Sequence, residues 1–342
     1  MAKIEIMSSG TQASVQDLGR IAYQKMGMPI SGVMDNYAAR CANMLVGNAE
    51  NAALLESALL GVEIRFLDQN LIAVTGADMD AHINGVKIKA WKSYLMNRGD
   101  VLKLSYAKNG LRAYIAFSGG IDVPILMGSS ATYIKGKVGG FHGRLLKPCD
   151  VLDTHDSSQA YMIREISTHH IPSYDNNIIV RAVPGPHSEC FSHKGVETFF
   201  TQTYKVGSRS DRMGIFLEGS PIEFQNETAD ILSSAVTMGS VQVTNDATPV
   251  VLMAERQTTG GYGQIATVIS PDLPKLAQAR PGDNIVFQKI DVYEAQRLYQ
   301  EYEQKIATIK EELTSGLAIT SSRTQTLTLG AKAYKTIIEE VV

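Results

Sequence analysis

The chain has 342 residues, 44% hydrophobic and 20% charged, which is room for two domains with apolar cores of their own. A formal charge of −3, with 35 acidic and 32 basic residues interspersed, gives no electrostatic footprint for nucleic acid or an anionic membrane. Cys41, Cys149 and Cys190 are too scattered for a disulfide framework or a CxxC metal site. No apolar run reaches the roughly eighteen residues of a membrane span, and Lys3 and Glu5 interrupt any signal-peptide core, so the expected compartment is the cytoplasm.

Residues 10–35, GTQASVQDLGRIAYQKMGMPISGVMD, form a first polar cluster that carries Asp17, Arg20 and Asp35 close to glycines. Tyr37 to Leu45 and Ala49 to Leu60 bear apolar residues near helical spacing and stop at Gly47 and Gly61, which predicts two helices, with Asn48 between them and Glu56 inside the second. Beyond Gly61, short alternating segments between Gly-Asp and Asn-Gly turns predict β-structure. Asn84–Gly85, between Ala81–Ile83 and Val86–Ile88, is the clearest hairpin. Arg144 follows in GGFHGR. Two short patterns recur in order: G-x-x-I-x-F at Gly61–Phe66 and Gly219–Phe224, and G-D-x-[LI] at Gly99–Leu102 and Gly282–Ile285. They suggest two copies of one β-unit, joined by the polar stretch from Ser167 to Asn177, in which His169–His170 reads as solvated surface.

Ser208 to Gly219, SRSDRMGIFLEG, is a second polar cluster, with Arg212 at its centre. The apolar run Pro249–Ala254 predicts a buried strand opening into a loop, Glu255 to Tyr262 (ERQTTGGY), followed by QARPGD at 278–283. The bland account of that loop pairs Arg256 with a carboxylate. Ala295, Leu298, Tyr302, Ile306, Ile309 and Leu313 then define one face of an amphipathic helix, packed on its own barrel or offered to a partner or second copy. Ser315–Gly316 and Thr320–Ser322 loosen the chain before a second helical segment, Ala331 to Val341.

The familiar motifs are missing. Gly136–Lys137 lacks the spacing and the Ser/Thr of a P-loop, no GxGxxG follows a strand, and the seven histidines form no HExxH and no zinc spacing. Ser129–Ser130 and Ser208–Ser210 have no adjacent histidine to activate them. What remains is a site of arginines, acids and amides. Arginine forks hold carboxylate or phosphate, and amides around Gly260–Gly261 suit a developing oxyanion.

The strings VQDLGR, SGVMD, ANMLVGN, TGAD, FSGGIDVP, SDRMG and QTTGGY, in this order between about Lys3 and Phe287, resemble the family variously called allophanate hydrolase subunit 2, the biotin-dependent carboxyltransferase domain, or the C component of 5-oxoprolinase (KipA-like). The resemblance implies a mainly β fold of two tandem cyclophilin-like barrels, here placed at residues 1–170 and 171–290, with a helical extension over 291–342. It also implies chemistry on a small amide. The expected role is the C component of an ATP-dependent 5-oxoprolinase that opens the lactam of 5-oxoproline to glutamate. The alternatives are biotin-dependent carboxyl transfer to urea and a regulatory protein antagonising its partner, a kinase inhibitor. A chain that begins at the family's own N-terminus favours the oxoprolinase role.

Expected partners are a KipI-like B component, the A component of 5-oxoprolinase, and possible copies of this chain through the C-terminal helix. ATP is expected mainly on a partner, and biotin is not expected on this chain, which has no Met-Lys-Met. The expected catalytic residues are Arg212, Gln257, Thr258 and Tyr262, with Asp17, Arg20, Asp35, Asn48, Glu56, Arg144, Gly260 and Gly261 binding substrate, and no metal. Asp17, Arg20, Asn48, Arg212 and Gln257–Tyr262 are expected to share one cleft, where Arg212→Ala removes activity but leaves folding intact. Departures from the family pattern are Gly128–Thr132, which lacks an arginine, Glu255 in place of Asp, Gly263 in place of Pro, and Pro148–Cys149–Asp150.

Overall fold

The computed structural model describes residues 1–156, 160–226, 228, 230–314, 317–329 and 332–341. The chain divides into two compact units. The first comprises Met1–Gly19, Asn36–Ser173 and Ile306–Val342, and the second comprises Arg20–Asp35 and Tyr174–Lys305.

Two sheets build most of the first unit. In a seven-stranded sheet Ala2–Ser8 lies antiparallel between Glu63–Phe66 and Val151–Thr154. A five-stranded sheet runs Gln12–Gln16, Leu54–Ala58, Asn109–Phe117, Asn70–Asp78, Lys92–Met96. Ile4, Ile6, Ile64 and Phe66 of the first sheet and Ile72, Val74, Ile115 and Phe117 of the second belong to one core. The expected helix is present as Asn36–Leu45, tied down by the Thr75 hydroxyl, which donates to the Ala38 carbonyl at 2.7 Å. The expected second helix is not: Leu54–Ala58 is a strand, buried at every position and paired on both edges. Glu56 and Ser57 break any alternation although both are buried, and over five residues periodicity cannot separate such a strand from a buried helix. The hairpin forms as expected, with φ of 51° at Asn84 and 81° at Gly85, the left-handed pair that a two-residue turn demands.

Seven strands of the second unit close into a barrel, in the order Asn177–Pro184, Gln264–Val268, Ser240–Val243, Pro249–Leu252, Gly214–Glu218, Thr203–Val206, Asn284–Lys289. Closure is by a parallel ladder from Asn177↔Asn284 to Ala182↔Lys289. Phe199 stacks on Phe287 with centroids 4.4 Å apart, among Tyr204, Ile215, Val241 and Val251. The fold is thus mainly β; among the described residues one barrel closes, and the strands of the first unit lie in open sheets.

One of the two sequence repeats is structural. At Gly99–Asp100 the Asp carboxylate accepts from the Asn97 backbone N–H at 2.7 Å, and Phe66 exchanges hydrogen bonds with Gly99 and Asp100. At Gly282–Asp283 the carboxylate accepts from the Arg280 N–H at 2.8 Å, and Val206 makes the same exchange with Gly282 and Asp283. The counterpart of Phe66 is therefore Val206. Phe224, its match in the G-x-x-I-x-F pattern, lies outside any strand and meets Phe191 through an isolated bridge and a tilted ring contact.

The amphipathic stripe is a helix, Val292–Glu312, whose first turn is capped by Asp291 Oδ1 accepting from the Glu294 N–H at 2.8 Å. Ile306, Ile309 and Leu313 are buried, so the C-terminal part of the stripe is already covered by the chain itself. Ser315–Gly316 and Ala331 lie outside the described residues. Lys332–Val341 is not helical but a strand, paired antiparallel with Leu317–Leu329. Tyr334, Thr336, Ile337 and Ile338 are β-formers, and a ladder of that length outweighs a weak helical spacing. Among the described residues no helix is long and apolar enough to cross a membrane.

Candidate functional site

The apolar run Pro249–Leu252 is a barrel strand buried at every position, and its backbone continues into pairing with the second polar cluster. The Met253 N–H donates to the Met213 carbonyl and the Glu255 N–H to the Arg212 carbonyl, both at 2.8 Å. This register sets the two side chains together: Arg212 Nε donates to Glu255 Oε1 at 2.7 Å, with the residues 6% and 3% exposed. The other arm of Arg212 donates to the Gly32 carbonyl at 2.6 Å, and the Ser31 N–H donates to the Ala254 carbonyl at 3.0 Å. Residues 31–32, Arg212 and Glu255 are therefore one knot within the second unit. Asp35, fully buried, accepts at Oδ2 from Gln278 Nε2 at 2.8 Å, which brings in the QARPGD run. Arg20 is also fully buried, and its N–H closes the loop on the Ile30 carbonyl at 2.8 Å.

Beside this knot lies a layer of amides. Thr259–Tyr262 is a strand rather than a loop, paired with Asp230–Ala235. Gly260 has a specific reason to be glycine: a Cβ there would sit 2.4 Å from Gln242 Nε2. That close approach lets Gln242 donate to the Tyr262 carbonyl at 3.0 Å and accept from Gln257 Nε2 at 3.2 Å. Gln264 Nε2 donates to Ser234 Oγ and the Ala235 carbonyl, each at 3.2 Å. Gly261 has more room, with no atom nearer than 3.7 Å to a Cβ. The Thr258 carbonyl accepts from the Val236 N–H at 3.2 Å, and Tyr262 is 37% exposed.

Arg256 stands apart. It is 2% exposed, and its bonds are two long ones, Nε to the Val236 carbonyl at 3.5 Å and Nη1 to the Met253 carbonyl at 3.3 Å. Among the described residues no carboxylate lies within ion-pair distance of it. Burial pushes its guanidinium down to about 10, which still leaves it cationic at neutral pH. The bland expectation of a carboxylate partner fails because the adjacent acid, Glu255, is taken by Arg212. A buried cation without a counter-charge is costly and suits an anionic ligand. Sequence reasoning read Arg256 only as half of an ion pair; the signal for more was a single acid, Glu255, for two candidate arginines, Arg212 and Arg256.

The other expected site residues belong to the first unit. Asp17 accepts from the Gly19 N–H at 2.7 Å, Ser129 Oγ at 2.7 Å and the Ser130 N–H at 2.6 Å, so it organises the segment that lacks the family's arginine. Asn48 donates to the Phe117 carbonyl at 2.8 Å and accepts from the Gly119 N–H at 2.9 Å. Glu56, buried, accepts from the Tyr114 hydroxyl at 2.9 Å, with Arg112 Nε 3.9 Å away. Arg144 grips Asp150 in a two-pronged pair at 2.7 and 2.8 Å over the Phe141 ring. Each of these holds local structure. His169 is exposed as expected, but His170 is not solvated: it is 6% exposed, and its Nε2 lies 3.3 Å from Glu312 Oε1.

This arrangement offers charge and amide donors rather than a nucleophile, the equipment of a protein that binds and polarises a small anionic or amide substrate. A model of the carboxyltransferase domain, subdomains A and B, matches residues 26–289, and the chain belongs to that family. It is 35% identical to the C component of 5-oxoprolinase from Haemophilus influenzae over 300 residues, 88% of this chain and 95% of that one. It is 34% identical to the component of the same name from Escherichia coli over 305 residues, 88% of this chain and 96% of the relative. Among solved structures, the urea amidolyase of K. lactis superposes with a TM-score of 0.85 at 30% identity; the match covers 90% of this chain but only 20% of that much longer one.

Proposed function

We propose that the chain is the C component of an ATP-dependent 5-oxoprolinase and supplies part of the site in which the lactam of 5-oxoproline is opened to glutamate. The observation that carries the reading is Arg256, a buried cation with no carboxylate partner among the described residues, because 5-oxoproline presents a carboxylate beside its amide carbonyl. In this reading Arg256 takes the carboxylate and the Gln242–Gln257 layer orients the ring. Opening breaks the ring C–N bond, water supplies the oxygen that completes the new carboxylate, and the nitrogen leaves as the amine of glutamate. Amide donors stabilise the charge that builds on the carbonyl oxygen. Similarity along nearly the whole length of two proteins that bear this name supports the same assignment. The reading places the chain in the cytoplasm, with ATP handled by a partner, the A component or a KipI-like B component, and with little turnover by this chain alone.

The test is reconstitution with the two partner proteins. Arg256→Gln is expected to lower ATP-dependent glutamate formation by about a hundredfold, the scale of one lost charge-stabilising donor, with Arg256→Lys intermediate. Full activity in a folded Arg256→Gln complex overturns the reading. The likeness to urea amidolyase favours a second reading, carboxyl transfer from biotin to urea. The carboxyl group carried by biotin is itself anionic and could use the same cation, so substrate separates the two readings: biotin-dependent carboxylation of urea, with no glutamate formed from 5-oxoproline by the reconstituted complex, would select that alternative.

A further inference from the structure

We propose that His169, His170 and Glu312 form a binding site for one divalent transition metal ion of the zinc, cobalt or nickel class, which ties the Ser167–His170 segment to the last turn of the C-terminal helix. The site is independent of the oxoprolinase reading, and all three residues belong to the first unit. One ligand atom from each residue falls within 4.8 Å of the other two. His170 Nε2 and Glu312 Oε1 are 3.3 Å apart, the edge length of a tetrahedron with bonds of about 2.0–2.1 Å. His169 is the neighbouring residue in the Thr168–His170 turn, its ring centroid 3.9 Å from that of His170, so a small rotation of an exposed side chain completes the third edge.

The donor set selects the metal. Two imidazoles and one carboxylate suit zinc and its neighbours, whereas magnesium and calcium prefer all-oxygen shells. With three protein ligands, and His169 and Glu312 exposed, a fourth position is left to water. The surroundings already hold the ligands in place. The Tyr37 hydroxyl donates to the His170 carbonyl at 2.6 Å and fixes the turn, while Ser167 Oγ donates to Glu312 Oε2 at 3.3 Å and leaves Oε1 facing the imidazole. Outer contacts of this kind orient metal ligands. The simpler alternative is a bare His170–Glu312 bridge, and metal uptake separates the two.

The untagged full chain, stripped with EDTA, is titrated with Co2+, followed by its visible d–d absorption, and with Zn2+, followed calorimetrically. One Co2+ per chain, Zn2+ displacing it, a higher melting temperature with Zn2+ and no effect of Mg2+ are expected. His169→Ala and Glu312→Gln, both at exposed positions where folding is checked by circular dichroism, should each weaken Zn2+ binding by about tenfold or more, since loss of an outer-shell partner alone costs that much. Absence of stoichiometric uptake by the native chain, or uptake unchanged in both variants, overturns the proposal.

Discussion

Removing the Arg212 guanidinium tests whether the knot in the second unit is structural. Arg212→Ala leaves the Glu255 carboxylate 3% exposed and without its 2.7 Å partner, and deprives the Gly32 carbonyl of its 2.6 Å donor. Breaking a buried pair from one side costs about 3–5 kcal/mol, and an unsatisfied buried carbonyl about 1–3 kcal/mol more. Because water enters the vacated space, the two do not add fully, and a loss near 4 kcal/mol is expected from a total of about 5–15 kcal/mol. Urea titration followed by far-ultraviolet circular dichroism measures it. Hydrogen exchange should rise first in Gly214–Glu218 and Pro249–Leu252, the strands that flank the pair. Arg212→Met with Glu255→Leu, which removes both charges, should recover most of the loss. A single variant that loses less than about 1 kcal/mol, the scale of an exposed pair, would refute the reasoning, as would a double variant no better than the single. The sequence-based expectation that Arg212→Ala spares folding is thereby replaced: loss of activity should track loss of the fold.

Gly260→Ala should drive the Gln242 amide from its 2.4 Å approach, costing about 1–3 kcal/mol through overpacking and about a hundredfold in turnover through misplacement of the amide layer; adding Gln242→Ala should restore stability but not turnover in the reconstituted complex. Asp272, fully buried, gives an acid-side signature. Burial alone would raise its carboxyl, but hydrogen bonds from the Arg181 guanidinium and backbone and the charge of Lys275 outweigh burial and hold it below the usual range. A carboxylate depressed in the folded state stabilises above its unfolded value of about 4 and loses that contribution as pH falls through its folded value. Asp272→Asn should therefore be less stable at pH 7 and show a flatter decline below about pH 4 in urea titrations across pH. Ile309→Ala, at a position 1% exposed, should cost about 2–5 kcal/mol and raise exchange along the end of the Val292–Glu312 helix.

Local chemistry was legible wherever one short stretch decides the outcome. The helix ending at Leu45 before Gly47, the Asn84–Gly85 turn and the strand Pro249–Leu252 all follow from their own residues. Leu54–Ala58 and Lys332–Val341 were misread because their state is decided by ladders with distant partners. The site divides in the same way. Motif strings single out Arg212, Gln257 and Gly260 as candidates, but they do not show that Glu255 turns to Arg212 and leaves Arg256 without an acid. His170 and Glu312 lie 142 positions apart, and nothing local in either stretch announces the other.

The Arg20–Asp35 segment leaves the ribosome early, yet its anchors Ala254, Arg212 and Gln278 come late, Gln278 trailing Asp35 by 243 positions. At about 5–20 residues per second, a nascent chain carries this stretch unanchored for roughly ten to fifty seconds. Met34, which ends in the core of the second unit, lacks its folded-state core partners through that interval. The second unit therefore cannot be completed during synthesis until Gln278 has emerged. A fragment starting at Tyr174 would contain every barrel strand and still lack the residues that plug the knot.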